Sequence, residues 1–166
     1  MSILKYLKYG IVRRKFRRHV ASLAPQKQVV RPRMPAEAIT MDEVIPMLLA
    51  QCSGIGPAWQ EYLDEYEDDE RLHYVDICVV NQYFSYQLKR CQTEEFGGLF
   101  TVMETIETHG TDDAINLIGV GFTEHVIMVA KELGLTVDDF ALWIGPKSKE
   151  SWLGLQKLWD QIKEQE

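Results

Sequence analysis

The sequence predicts an all-α protein: a compact bundle of about six to seven helices, preceded by a basic N-terminal helix and a proline-containing linker. Three observations carry this. Apolar residues recur at helical spacing, as in Ile115, Ile118, Phe122, Val126, Val129 and Leu133. Helix-start signals precede the apolar runs: Thr40 with Glu43 in capping-box spacing, Thr111 ahead of two aspartates, and Pro57 and Pro146 suited to first turns. No segment alternates with the period of a strand; "YVDICVV" comes nearest and lies within a longer helical period.

Charge divides the chain in two. Residues 1–36 hold ten Lys/Arg and no Asp/Glu; residues 37–166 hold eight Lys/Arg against all 25 Asp/Glu, a net charge of −17. The expected organisation is a basic head and linker over 1–36 and an acidic helical domain over 37–166, with either two partners of opposite charge or one half neutralising the other. Cys52, Cys78 and Cys91 are odd in number and widely spaced, which reads as reduced packing thiols and a cytoplasmic protein. "VRRKF" at 12–16 resembles part of a twin-arginine signal, but no apolar stretch follows it. The Arg-rich, acid-free head also fits a mitochondrial presequence. No apolar run is read as long enough for a membrane span.

The elements follow in order. "SILKYLKYGIVRRKFRRHVASLA" reads as a helix whose stripe shifts at Gly10, from Leu4, Leu7 and Ile11 to Val12, Phe16 and Val20. Pro25, Pro32 and Pro35 make the next segment an extended linker. A helix from Thr40 should kink or shift its start at Pro46, and "PAWQEYLDEYEDD" and "ERLHYVDICVVNQYFSYQLKRC" form the next two. In "TEEFGGLFTVMETIETHG" the Gly97–Gly98 pair predicts a kink or a close helix contact. "TDDAINLIGVGFTEHVIMVAKELG" is apolar nearly all round and reads as a buried central helix, with Gly119 and Gly121 admitting a neighbour. Thr136 caps a short helix ending at Gly145, and Pro146 opens the last, with Trp152, Leu155, Trp159 and Ile162 on one face.

No catalytic set, metal set or cofactor loop is legible. Glu70 and His73 form a single E-x-x-H where a di-iron bundle requires two. "GIG" at 54–56 and "GVG" at 119–121 follow no strand. Cys78 and Cys91 have no activating base beyond Lys89 and Arg90. The expectation is a protein that is not an enzyme and carries no cofactor.

Two charged features remain as partner-binding candidates. Tyr62, Asp64, Glu65, Tyr66, Glu67, Asp68, Asp69 and Glu70 form an acidic, aromatic stretch: either a solvated helix end or a surface whose carboxylates steer a basic partner while tyrosines anchor it. Lys5, Lys8, Arg13, Arg14, Lys15, Arg17 and Arg18 form the basic head. Residues 2–23 suit an anionic membrane surface, nucleic acid, or docking onto the acidic body, with nucleic acid least favoured.

"VIMVAKELGLTVDDFALWIG" at 126–145 has the outline of a helix-turn-helix about Gly134. The second helix would offer Thr136, Asp138 and Asp139 to DNA and no Lys or Arg, the wrong sign for phosphates. The stretch therefore reads as scaffold, with Phe140 and Trp143 packed inward.

"TDDAINLIGVGFTEHV" and "WIGPKSKESWLGLQKLW", with the earlier "GIGPAWQEYLDEY", resemble an uncharacterised family of bacterial all-helical domains with a C-terminal GP…W…W signature, here Gly145, Pro146, Trp152 and Trp159. Ile144 stands where Leu is commoner. Such domains are similar to toxin-immunity proteins in size, acidity and helical content. The resemblance implies a non-enzymatic binder that occludes a cognate toxin; it covers about three quarters of the chain, excludes the basic head, and transfers no functional residue.

Overall fold

The computed structural model describes residues 3–23, 37–65 and 72–164, with side chains from Tyr9 onwards. Among these residues the protein is all helical. Eight α-helices are α1 (Ile3–Leu23), α2 (Met41–Gln51), α3 (Gly56–Glu65), α4 (His73–Arg90), α5 (Phe96–His109), α6 (Asp112–Asn116), α7 (Glu124–Leu133) and α8 (Pro146–Lys163).

The helix starts follow local chemistry. Glu43 accepts from the Thr40 backbone N–H at 2.8 Å, closing the expected box on α2. Pro46 does not break α2, because the carbonyl it leaves without an N–H belongs to Asp42, an exposed residue of the first turn, open to solvent. Gly97 and Gly98 lie in the first turn of α5, which runs without interruption to His109. A Cβ at Gly98 would lie 2.8 Å from the Gln51 carbonyl oxygen, so the close contact of the two readings is the one found, between α5 and α2.

α6, Leu117–Thr123 and α7 run on as one helix, but Leu117–Thr123 is wound as π-helix. Such turns are rare and leave carbonyls displaced from the regular ladder; here the Asn81 side chain donates to the Gly121 carbonyl at 2.8 Å. Gly121 lies against Ile77 of α4, whereas Gly119 has open space beside it, so only one of the two expected approaches exists. Asp112–Leu133, 22 residues with an 18-residue window of mean hydropathy 1.3, is long and apolar enough to cross a membrane, contrary to the expectation that no run is; half of that window is buried within the protein.

Past α7 the expected short helix is not formed. Gly134 takes a left-handed C-cap (φ +70°), and only Val137–Phe140 forms one 3-10 turn. Phe140 is fully buried and Trp143 packs on the core, as expected. A four-residue turn is too short to present a recognition helix.

The core centres on Phe84, Phe96, Phe100, Phe122, Phe140 and Trp152, all fully or almost fully buried. Phe16 of α1 joins them without exposed surface, its ring 5.6 Å from Phe140 and 6.2 Å from Trp143. Of the two stripes on α1, the one through Val12, Phe16 and Val20 faces the body, and Ile11 is left exposed.

Candidate functional site

The basic helix is built into the body at one end of the bundle. The Arg17 guanidinium donates to both carboxylate oxygens of Asp139, at 2.6 and 2.8 Å. That fork raises the Arg17 pKa. Burial pushes the Asp139 carboxyl upward, but the bonds from Arg17 and from the Thr136 N–H outweigh it and hold the group below its ordinary range. The Tyr9 hydroxyl donates to Glu132 at 2.7 Å, and the His19 ring meets the Thr93 hydroxyl at 2.7 Å. Beneath α1 lies Cys91, the left-handed C-cap of α4 (φ +59°), where glycine is usual. Arg13, Arg14, Lys15 and Arg18 remain exposed, although the Arg13 side chain lies along Gly134 at the C-cap of α7. The side chains of Lys5 and Lys8 lie outside the described residues.

The opposite end of the bundle is acidic. The Tyr62 hydroxyl on α3 donates to buried Asp76 at the start of α4. His73, one residue into α4, lies 2.9 Å from Asp42 in the first turn of α2. Ile39 bonds to the carbonyl of His109 and the N–H of Thr111, joining the start of α2 to that of α6. These links gather the starts of α2, α4 and α6 and the end of α3, and there Asp42, Glu43, Asp64, Glu65, Asp112 and Asp113 are exposed. The 18 residues of α4 span about 27 Å between the two ends. Among the described residues, no Lys or Arg pairs with Asp64, Glu65, Asp112 or Asp113.

The acidic stretch is thus placed only in part. Asp64 and Glu65 are exposed; Tyr66, Glu67, Asp68, Asp69 and Glu70 lie outside the described residues, and with Glu70 so does the E-x-x-H pair. Tyr62 is half-buried against Trp59 and holds Asp76, so it orders the fold rather than standing free as an anchor.

Other acids work inside the protein. Glu104 of α5 accepts from the backbone N–H groups of Lys147 and Ser148 at 3.0 and 2.8 Å and from the Ser148 hydroxyl. It supplies from another helix the cap that Gly145 has no side chain to give, and a methyl group at 145 would overlap its carboxyl. Trp152 is fully buried and Trp159 half-buried on the core, so the four residues of the terminal signature seat α8. One turn along α5, buried Glu107 accepts from Ser151. Burial raises its pKa, with the neighbouring Glu104 adding to the rise against the Ser151 bond. Glu95 accepts from Ser53 and the Gly54 N–H at 3.1 Å, and from Tyr83, at the other "IGP" helix start. An acid in a polar helix face reads as solvated when its partner is about forty positions away, so no local signal marks these three.

A serine–histidine contact also escapes a linear reading. Ser85 of α4 meets His125 Nε2 of α7 at 2.7 Å. Burial lowers the His125 pKa, opposed by its bond to the Asn81 backbone. Both residues sit within helices, whose backbone N–H groups are engaged in helix bonds. Cys52 and Cys91 are buried, and burial pushes Cys52 up to about 12 and raises Cys91, which suits inert packing thiols. Cys78 departs from the expected packing role and is exposed on α4. Among the described residues, no three His, Cys, Asp or Glu side chains group as metal ligands.

No curated protein and no solved structure matches the chain. A family model does: it is described as a domain of unknown function (DUF7674) and matches residues 45–160, from within α2 into α8 and without α1. With that span covering most of its length, the chain belongs to this uncharacterised family, and α1 lies outside the part that defines it.

Proposed function

We propose that the protein is a non-enzymatic, cytoplasmic protein-binding module whose acidic end engages a basic protein partner. One observation carries this: α1 meets Asp139 and Glu132 at its own end, while Asp64, Glu65, Asp112 and Asp113 stay exposed at the other without a basic neighbour among the described residues. An exposed concentration of one charge accelerates encounter with a partner of opposite charge and selects against others. In its specific form the proposal is an immunity-type protein that neutralises a bacterial toxin by covering it, which rests on the resemblance in size, acidity and helical content.

The test compares the wild-type chain with one carrying Glu61→Lys, Asp64→Lys and Glu65→Lys. Basic residues near the C-terminus of α3 suit the helix dipole, so the fold should tolerate them. A basic protein from the host extract should be retained by the wild type and lost with the variant. Retention of no protein, or equal retention by both, would overturn the proposal.

A second reading is peripheral binding to an anionic membrane, favoured by the exposed Arg13, Arg14, Lys15 and Arg18. With Phe16 buried in the body, that contact would be electrostatic unless α1 undocks. Flotation with anionic vesicles, lost on Arg13→Glu, Arg14→Glu and Arg18→Glu, would support it; wild-type chain that stays at the bottom would end it.

A further inference from the structure

The seat of α1 has the features of a helix-recognition groove. Its walls are Phe140, Trp143 and Cys91, with Glu132, Asp139 and Thr93 as polar contacts, and all six lie within the 45–160 family match. The helix that fills it lies outside that match. α1 contributes anchors at positions 9, 12, 16, 17, 19 and 20, the spacing of one helix face laid in a groove. The contact combines an aromatic plug, a forked ion pair and two side-chain hydrogen bonds, which together select one register.

Residues 24–36 join α1 to the body, a tether of thirteen residues including Pro25, Pro32 and Pro35. Fully extended, that length reaches roughly 45 Å. A chain of this size has a radius of gyration of about 15 Å. The tether is therefore long enough to serve the chain's own groove or a neighbour's. Two acidic bodies repel, and each brings an acid-free helix that complements the other's groove.

We propose that this groove is a helix-recognition site and that a second copy of the chain can supply its α1 to it, two copies exchanging their α1 helices reciprocally. This is independent of the role of the acidic end. The test uses two full-length chains, one carrying Arg17→Glu and the other Asp139→Arg. Alone, each sets like charges against each other across its own groove. Mixed, opposite charges meet at both grooves only when the helices exchange. An equimolar mixture should form a heterodimer by native mass spectrometry, while each variant alone stays monomeric. A mixture with no more dimer than its components would overturn the proposal.

Asp139→Arg also removes the Thr136 cap, so if either variant is unfolded by circular dichroism a second arm decides. A labelled peptide of residues 3–23 is added to the full chain carrying Phe16→Ala and Arg17→Ala. It should bind at least about tenfold more tightly than to the wild type, whose own helix competes. The same peptide bearing those two substitutions should bind at least about tenfold more weakly. Equal binding of the two peptides would reduce the contact to general attraction between a basic peptide and an acidic body, and would overturn the proposal.

Discussion

Arg17 and Asp139, separated by 122 positions, form a two-bond fork that fastens the basic N-terminal helix to the one 3-10 turn in the apparent helix-turn-helix. The Arg17 side chain is 48% exposed and that of Asp139 only 11%, so solvent screens the pair in part. A double-mutant cycle with Arg17→Ala and Asp139→Ala should give a coupling of about 0.5–1 kcal/mol, shrinking with added salt. The Asp139 pKa is depressed, so its stabilisation is present above the ordinary carboxylate range and is lost as pH falls through the depressed value. Urea midpoints in acid and at neutrality, for wild type and Asp139→Asn, should differ in that direction.

Phe16 has no exposed surface although it lies outside the family match. Phe16→Ala should destabilise the protein by about 3–5 kcal/mol, as an aromatic removed from a packed core does. The readout is the denaturant midpoint. A change within about 0.5 kcal/mol, typical of a surface position, would place α1 off the body.

Glu104 and Gly145 act as one device. Glu104→Ala leaves two N–H groups and a hydroxyl at the start of α8 without their acceptor and should cost about 2–4 kcal/mol. Gly145→Ala should cost about 1–3 kcal/mol through overlap with the Glu104 carboxyl. Because both act on one contact, the double variant should fall short of the sum of the singles, as thermal melts of all three can show.

Glu107 should respond to pH in the opposite sense to Asp139. Its folded pKa is raised mainly by burial, so the fold favours the protonated acid. The group's contribution is fully present below the unfolded pKa and diminishes as pH rises through the raised folded value. Glu107→Gln keeps a neutral partner for Ser151 and should flatten that dependence, leaving the variant at least as stable as wild type near neutrality. Denaturation midpoints from mildly acidic to neutral pH check this.

Much of the architecture is legible because its causes are local. The Thr40–Glu43 box, Pro57 and Pro146 in first turns and the close packing at Gly98 all follow from spacing or steric demand. The π-wound Leu117–Thr123 is not, since its apolar pattern over seven residues differs little from an α-helical one. The 3-10 turn at Val137–Phe140 carries a helix-start signal but closes after one turn, with Phe140 drawn into the core. The charged residues are less legible than the apolar ones. Arg17, Glu104 and Glu107 look solvated in their own helices, as does Glu95 at the N-cap of α5, and each meets a partner 41 to 122 positions away. Tyr62 sits in the most acidic stretch yet serves an internal bond to Asp76.

The separation of the molecule into a basic end and an acidic end rests on α1 being docked, and native-state hydrogen exchange tests that most directly. In the full chain, amides from Tyr9 to Val20 should exchange at least about a hundredfold more slowly than in a free peptide of residues 3–23, with the protection reduced by Phe16→Ala. Exchange over that segment at the free-peptide rate would contradict the docked helix and with it the two-ended charge arrangement.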